Sequence, residues 1–391
     1  MFARVTLKAV SVGIVISAST LAFGDGFSIP PPIKVQAGPI GTINVQGVAS
    51  AIGFGQTNPV VPGEGLSSKN FGAAITNGLV MINKSTGLVQ FNLIAGAYNF
   101  PILGQPFSSA SSAINDFTAL PEAYVTIVPT SYFSISVGQL PTLLGYTGTL
   151  DFNRMNIEGG FPYDIQPSYS RGVQVNYTAG PISASLSWND GYFTNRYNVI
   201  SGLVTYTINS KNAVSVYAAG NAGHTGNVMD TNYSNNGYVN GSLVYDNSDL
   251  YGIYYTYSGS TFTVTPEFQY MYTPANASFG TTGSSSDISA MIHADYYLTP
   301  NWSIAAGVDY ETSSGTPNEI PITGSTSSGG YFGYGPGSSA FGLMITPTYT
   351  DGDFFARDEL SYVRLTNYTS GFGVNNRPDQ FRDIVETGFW F

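Results

Sequence analysis

Charged residues are scarce in this chain. Asp, Glu, Lys and Arg make up 9% of its 391 residues, whereas a typical soluble domain is about a quarter charged. The 13 Lys and Arg form no cluster and are outnumbered by 24 Asp and Glu, which excludes a nucleic-acid-binding protein. Cysteine is absent, and this excludes disulfides, thiol catalysis and thiolate metal sites. Disorder is also excluded, because aromatic residues reach 14%.

The N-terminus carries the one long apolar stretch, and it is short. After Arg4 and Lys8, about 15 apolar or small residues extend to Phe23, fewer than the roughly 20 that a membrane-spanning helix needs. We therefore predict a signal peptide over residues 1–24 rather than a membrane anchor. Residues 25–41 are rich in Pro and Gly and predict an N-terminal leader without regular structure.

The rest of the chain, residues 42–391, is expected to form a single domain. It contains no run of 18 apolar residues, so helical membrane spans are excluded. Its short segments instead alternate between apolar and polar residues, which is the periodicity of a β-strand. One example sets Ile182, Ala184, Leu186 and Trp188 against Ser183, Ser185 and Ser187.

The polar faces of these strands distinguish two all-β architectures. A soluble secreted sandwich would carry abundant Lys and Glu on its outer face, but these faces carry Ser, Thr, Asn, Gln and Gly. A transmembrane barrel turns its apolar residues toward lipid and its small polar residues toward a watery lumen. The segments are about 10 residues long, as tilted membrane strands require. The sequence thus predicts a transmembrane antiparallel β-barrel.

Short and long connections alternate along the predicted barrel. Short connections near residues 83–87, 129–131, 178–181, 209–212, 258–260, 298–301 and 350–353 fit periplasmic turns, and the long ones fit external loops. With both chain ends in the periplasm the strand number must be even. Assigning Asn236–Asp246 to an external excursion preserves the order and predicts about 16 strands, with 18 as the main alternative.

The C-terminus and one internal stretch carry a family resemblance. The amphipathic last segment ends at Phe391 and resembles the terminal strand that the barrel-assembly machinery recognises in outer-membrane proteins. Residues 117–193 contain ALPEAYV, VGQLPTLLGY, SRGVQVNYTAGP and SLSWNDGYF in that order. This stretch resembles the OmpL-like β-barrel porin family. The resemblance implies a channel in the outer membrane.

Alternation predicts which charged side chains face the lumen, where they could bias ion entry. A solvated charge near a strand end, without effect on flux, is the alternative for each. His293 is expected to form a hydrogen-bonded pair with Asp295. The pore-lining candidates are Glu267, Asp295, Asp309, Glu311, Arg357 and Glu359.

The predicted long loop over residues 141–170 combines acidic and basic residues. Folded into the lumen, it would form a constriction with a transverse electric field; alternatively, it is an external loop held by its own ion pairs. Its candidates, together with the first basic residue of the next strand, are Asp151, Arg154, Glu158, Asp164 and Arg171.

These observations predict an outer-membrane porin that passes small hydrophilic solutes and ions by passive diffusion, with a mild cation preference. A structural or adhesive barrel whose loops close the lumen is the alternative. His224 and His293 are the only histidines, and no catalytic or paired metal-ligand motif occurs, so neither an enzyme nor a cofactor is expected. The expected partners are outer-membrane lipid and lipopolysaccharide, the barrel-assembly machinery through Phe391, and further copies in a homotrimer.

Overall fold

The chain forms a closed antiparallel β-barrel of 16 strands in a computed structural model. The structure describes residues 29–59, 65–225, 243–277, 281, 283–315 and 332–391. The predicted signal peptide lies outside the described residues. Each barrel strand pairs with its sequence neighbours, and the last strand pairs with the first to close the barrel. Within the described residues, no helix is long and apolar enough to cross a membrane.

The barrel is built from β2 to β17, and a short strand β1 precedes it. The strands are β1 Ile33–Gln36, β2 Thr42–Gln56, β3 Phe71–Lys84, β4 Val89–Tyr98, β5 Glu122–Thr130, β6 Phe133–Pro141, β7 Tyr169–Ala179, β8 Ile182–Asn189, β9 Val199–Asn209, β10 Asn212–Asn221, β11 Asp249–Ser258, β12 Phe262–Thr273, β13 Ser285–Tyr297, β14 Trp302–Gly315, β15 Ser339–Asp351, β16 Phe354–Thr366 and β17 Asp379–Trp390. The helices are α1 Ala110–Phe117, α2 Phe161–Asp164 and α3 Leu243–Asp246.

The predicted alternation of connections is confirmed. All seven predicted short turns connect paired strands at one end of the barrel, called here the turn end. The long loops lie at the opposite end, called the loop end. The segment Asn236–Asp246 is described from residue 243, where it forms α3 rather than a strand. The count of 16 is therefore confirmed and 18 is wrong.

The leader was predicted to lack regular structure, and for part of it this is wrong. Residues 33–36 form β1, which pairs antiparallel with residues 42–45 at the start of β2. A short 3-10 turn at Gly38–Ile40 connects the two segments. The Pro and Gly residues that suggested an irregular leader instead flank a strand and form a turn, because β2 supplies backbone partners that the leader alone lacks.

The two faces of the barrel wall follow the sequence alternation. In β12, Thr263, Thr265, Glu267 and Gln269 are buried, whereas Phe262 and Phe268 on the opposite face are more than 40% exposed. The exposed face is apolar around the barrel, and the buried face carries the polar residues. We call them the outer and the inner face. This is the layout of a barrel whose outer face contacts lipid.

The closing seam between β17 and β2 is tightly packed at Gly388. This glycine pairs with Ser50, and a Cβ atom at its position would lie 2.6 Å from the Ala49 carbonyl oxygen and from the Phe355 ring. Such distances force either the backbone or the ring to move.

We expect Gly388→Val to lower the stability of the closed barrel by about 1–3 kcal/mol. The temperature at which the folded band disappears in heat-modifiability gels measures the effect. Gly53→Ala is the control, because a Cβ there meets no atom within 4 Å. Equal midpoints for both variants would show that the seam tolerates the added carbons.

Candidate functional site

The long connection between β6 and β7, residues 142–168, folds into the barrel and packs against the inner face. We call it the inner loop. Three inner-face carboxylates accept hydrogen bonds from its backbone. Glu359 accepts from the amides of Ile157 at 2.6 Å and Glu158 at 2.9 Å. Asp309 accepts from the amide of Phe161 at 3.2 Å, and Glu267 accepts from that of Tyr146 at 3.2 Å.

These bonds have a simple cause. An irregular segment inside a barrel has backbone amides that no neighbouring strand can satisfy, and unpaired buried amides are costly. Carboxylates are strong acceptors for such groups. Glu267, Asp309 and Glu359 therefore hold the inner loop rather than face an open lumen, and each is at most 4% exposed.

Two arginines on β16 and β17 tie the loop to the wall through ion pairs. Arg357 lies 2.6 Å from Glu386 and 3.3 Å from Asp151 of the inner loop. Arg382 lies 2.6 Å from Glu158 of the inner loop. These side chains are 0–2% exposed. Each guanidinium is thus matched by carboxylates at short range, and a buried charge of this kind is tolerated only when it is paired.

Arg154 shapes the loop itself. Its guanidinium donates to the carbonyl oxygens of Gly148, Thr149 and Pro101 at 2.7–2.8 Å. It also stacks 4.3 Å above the ring of Tyr163. The planar group with five donors suits this arrangement of several carbonyls. Arg154 thereby links the inner-loop residues Gly148 and Thr149 to Pro101, which lies in the connection between β4 and β5.

Within the described part of the chain, three carboxylates on another part of the inner wall form no ion pair. Asp164 ends α2, which packs against β12, β13 and β14. Asp287 of β13 and Glu311 of β14 are diagonal neighbours, because Asp287 pairs with Ser313 and Glu311 with Ser289. Among the described ion pairs, none includes these three residues. We call Asp164, Asp287 and Glu311 the acidic group.

Asp164 lies in the inner loop, outside the membrane-spanning strands, and is half-buried. Burial raises the pKa of its carboxyl to about 7, and a hydrogen bond from Gln105 partly opposes the rise. That bond measures 2.7 Å. The charge of Asp164 therefore changes near neutral pH.

The remaining candidates, Arg171 and Asp295, lie away from the inner-loop ion pairs and from the acidic group. Arg171 lies at the loop end of β7 and pairs with Asp190 of the next loop at 2.7 Å, stacking over the ring of Phe193. The grouping of Arg171 with the inner-loop charges is wrong, because Arg171 shares the face of β7 that carries the exposed Val173 and Val175. Asp295 is buried on the inner face near the turn end of β13, away from the inner-loop carboxylate contacts.

The predicted pair of His293 and Asp295 is wrong. His293 pairs with Asp309 across β13 and β14, with 3.0 Å between ring nitrogen and carboxylate oxygen. Residues two apart on one strand lie side by side about 7 Å apart. The residue directly opposite His293 is Gly307, which has no side chain to block the imidazole from reaching the diagonal carboxylate.

Several inner-face residues were missed from the sequence. Arg382, Glu386 and Asp287 take part in the ion pairs or the acidic group, although none was singled out. The signal was present, because Arg382 and Glu386 alternate with Phe381 and Val385. The sequence analysis used the alternation of the last strand only as a recognition signal for barrel assembly, and so Arg382 and Glu386 were not assigned to the inner face.

The wall formed by β5 to β10 has a different chemistry. Apart from Glu122 of β5, which accepts a hydrogen bond from Asn92, its inner face is uncharged. Most of its side chains are small and bond to one another, such as Asn176 with Ser134, Gln174 and Ser185 at 2.7–3.2 Å. The charged wall residues that contact the inner loop are thus confined to β12 through β17. The inner surface has one charged part and one neutral polar part.

A comparison with known families decides the class of this barrel. The family model described as "Putative beta-barrel porin-2, OmpL-like" matches residues 42–391. The chain belongs to this family. It is a porin-like barrel of the bacterial outer membrane.

Solved structures with this fold are porins and channels of very different sequence. The anion-selective porin from Comamonas acidovorans is 10% identical, with a TM-score of 0.58; the match covers 89% of this chain and 99% of that one. The outer membrane channel DcaP of Acinetobacter baumannii is 10% identical, with a TM-score of 0.57 and coverage of 93% and 100%. OmpT of Vibrio cholerae, an outer membrane protein, is 9% identical, with a TM-score of 0.57 and coverage of 91% and 99%. None of the curated proteins matches the chain.

Proposed function

We propose that this barrel is a passive diffusion channel for small hydrophilic solutes and ions, with a mild preference for cations. The observation that carries the proposal is the unequal compensation of charge on the inner wall. The guanidinium groups of Arg357 and Arg382 are neutralised by adjacent carboxylates. The acidic group has no such partners among the described ion pairs, so the ionised fraction of its carboxyls leaves a net negative potential beside the inner loop, which favours cations.

The inner loop is the proposed constriction. It contacts the charged wall and also packs through Leu144 and Ile165 in one cluster with residues of β9 and β10, which leaves the polar wall of β5 to β8 to line the passage. Hydroxyl and amide groups there can exchange hydrogen bonds with passing solutes without binding them tightly. In this proposal, pore-lining roles belong to the acidic group, and Glu267, Asp309, Arg357 and Glu359 act by holding the loop.

The fold alone does not determine selectivity. The Comamonas porin has the same fold and is described as anion-selective, so ion preference has to come from the charged residues of each lumen. Catalysis is not part of the proposal.

The proposed setting is an outer membrane in which the short turns face the periplasm and the long loops face outward. Phe391 is the proposed recognition signal for the barrel-assembly machinery. Lipid and lipopolysaccharide would surround the outer face. A homotrimer is proposed because OmpT of Vibrio cholerae, 8% identical with a TM-score of 0.53, is described in a trimer form.

Single-channel recording in a planar bilayer tests the proposal. The detergent-purified protein is expected to give steady conductance, with a reversal potential in a KCl gradient that indicates more permeant K⁺ than Cl⁻. A folded, heat-modifiable barrel that gives no conductance would contradict the channel proposal.

A barrel with a permanently closed lumen is the second candidate function. It is favoured by the deep burial of the charged wall, where Glu359, Asp309 and Glu386 are 0% exposed. Such a barrel would serve a structural or adhesive role through its outer loops. The absence of conductance together with normal folding is the result that this candidate predicts.

The proposed channel should depend on pH through Asp164. Because its pKa is about 7, the carboxyl is mostly neutral at pH 5.5 and mostly charged at pH 8.5. Cation preference should therefore increase as the pH rises through 7. Reversal potentials across that range measure the change, and Asp164→Asn should make it clearly smaller. An unchanged pH profile in that variant would exclude Asp164 as the titrating group.

A further inference from the structure

A fourth carboxylate, that of Asp246, lies near the acidic group. Asp246 ends α3, in the connection between β10 and β11, and is 8% exposed. Like the acidic group, it belongs to none of the described ion pairs. Burial raises the pKa of its carboxyl to about 7. The environment of Asp246 therefore resembles that of Asp164.

Several oxygen atoms of these carboxylates have no hydrogen-bond partner. Asp287 is 1% exposed and Glu311 is 2% exposed. Within the described part of the chain, both carboxyl oxygens of Asp287, Oε2 of Glu311 and Oδ1 of Asp246 accept no hydrogen bond. In contrast, both carboxyl oxygens of Glu359 accept hydrogen bonds from the inner loop. An unsatisfied buried carboxylate is costly, and a cation that donates hydrogen bonds would stabilise it.

Two tyrosines lie beside these carboxylates. Tyr192, in the connection between β8 and β9, and Tyr245 of α3 pack edge to face, with their ring centroids 5.9 Å apart. The Tyr192 hydroxyl donates to the carbonyl oxygen of Ile165 at 2.7 Å, and Ile165 directly follows Asp164. Both tyrosines are partly exposed, so a solute in the lumen can reach part of their surface.

Glu311 is connected to the same rings through Gly333. A Cβ atom added at Gly333 would collide with the Glu311 carboxylate, so this carboxylate lies directly against the backbone there. The preceding residue, Phe332, packs edge to face on Tyr245, with ring centroids 5.0 Å apart. Asp287 is the diagonal neighbour of Glu311. These contacts bring the acidic group to the Tyr245 side of the aromatic pair.

The electrostatic environment of the two hydroxyls agrees with these contacts. Burial raises the pKa of the Tyr245 hydroxyl, and the charges of the acidic group raise it further. Burial also raises the pKa of Tyr192; a hydrogen bond with Ser248 partly opposes the rise, and the charges of Asp246 and Asp164 add to it. The four carboxylates thus act on the two rings together. We call them, with Tyr192 and Tyr245, the acidic aromatic site.

The spacing of the carboxylates determines which cation fits. Within the described residues, no group of three or more His, Asp or Glu could hold a metal ion, whose ligands must lie within about 2.6 Å. Diagonal neighbours such as Asp287 and Glu311 have Cα atoms about 7–8 Å apart. An ammonium group carries three donors and can bond to separate acceptors, whereas a guanidinium group suits acceptors in one plane. Aromatic rings attract such a cation and also cover its alkyl chain.

We propose that the acidic aromatic site binds solutes that carry an aliphatic ammonium group. The ammonium group donates hydrogen bonds to the unpaired oxygens of Asp287 and Glu311, and the alkyl chain lies along Tyr245 and Tyr192. The inference names a class of solute for the proposed channel and rests on that function for the role of the site. Binding itself is measured without any ion current.

Isothermal titration calorimetry of the detergent-purified protein with n-butylammonium chloride tests the inference. We expect saturable binding of n-butylammonium and none of 1-butanol, which has the same chain without the charge. The double variant Asp287→Asn with Glu311→Gln should weaken binding about tenfold or more, because it removes the charged acceptors. Tyr245→Leu should weaken it about two- to fivefold, because the ring no longer attracts the cation.

Asp295→Asn is the matched control. Asp295 is also a buried inner-face carboxylate of β13 with two unpaired oxygens. It lies near the turn end of that strand, about 27 Å from Asp287 at about 3.4 Å per residue. The control should keep the affinity of the unmodified protein. Heat-modifiability gels establish that each variant is folded.

Three results would overturn the inference. They are the absence of saturable binding, an equal loss of affinity in Asp295→Asn and in the double variant, and tighter binding of Ca²⁺ or n-butylguanidinium than of n-butylammonium. Single-channel recording of the same preparation separates these results from a failure of the channel proposal. A conducting barrel that does not bind n-butylammonium contradicts the inference alone, and a silent barrel that binds it contradicts the channel function alone.

Discussion

Replacing Arg357 by Met is expected to destabilise the barrel by about 3–5 kcal/mol and to detach the inner loop from the wall. The substitution leaves Asp151 and Glu386 buried without their cationic partner, and a buried charge that has lost its partner is far more costly than the intact pair. The two carboxylates would repel each other as well. The loop then moves away from β16, and the lumen widens.

Two measurements detect this change. The midpoint of thermal or denaturant unfolding should fall, and single-channel conductance should increase and fluctuate more. Arg364→Met is the matched control, because its ion pair with Asp379 is 49% and 39% exposed and exposed pairs contribute about 0–1 kcal/mol. The variant Arg357→Met with Asp151→Asn and Glu386→Gln should recover much of the lost stability. A single Arg357→Met variant as stable as the control would show that these ion pairs do not hold the loop.

Neutralising the acidic group is expected to abolish cation preference. In the variant that combines Asp164→Asn, Asp287→Asn and Glu311→Gln, the reversal potential in a KCl gradient should fall close to zero or change sign. The shapes of the side chains are retained, but the uncompensated negative charge beside the constriction is lost. Of the remaining carboxylates that contact the inner loop or its arginines, Asp151, Glu158 and Glu386 pair with arginines. Glu267, Asp309 and Glu359 accept hydrogen bonds from loop amides, which stabilise their charge and reduce their contribution to the field at the constriction.

The control for this variant is a charge far from the constriction. Asp351→Asn removes an exposed carboxylate at the turn end of β15, and at physiological salt its field is screened within about 8 Å. The control should keep the reversal potential of the unmodified protein. If the triple variant also keeps it, selectivity comes from another part of the lumen, and the acidic group is not a determinant.

The sequence predicted the barrel wall well because its signal is local. Each strand alternates with period two, and a residue such as Glu267 or Asp309 can be placed on the inner face from its immediate neighbours alone. Strand number followed from the regular order of short turns and long loops. Membership in the porin family also rested on local motifs and was confirmed over residues 42–391.

What the inner-face charges do could not be obtained in this way. Asp151 and Arg357 are 206 residues apart in sequence, and Glu158 and Arg382 are 224 apart. No local sequence pattern indicates such a contact, because the contact exists only when the inner loop packs against β16 and β17, the last strands of the chain. For the same reason Glu359 and Asp309, predicted to face open water, instead accept hydrogen bonds from loop amides.

The sequence by itself determined the class of the fold, favoured 16 strands over 18 and indicated which strand residues point inward, because these depend on periodicity and on the hydrogen-bond requirements of a backbone in lipid. Only the tertiary structure decided that the long central loop enters the barrel, that two arginines are neutralised there and that three carboxylates are not. Barrel closure brings segments that are distant in sequence together. The electrostatic potential at a point in the lumen is the sum of the contributions of the charged side chains on all these segments.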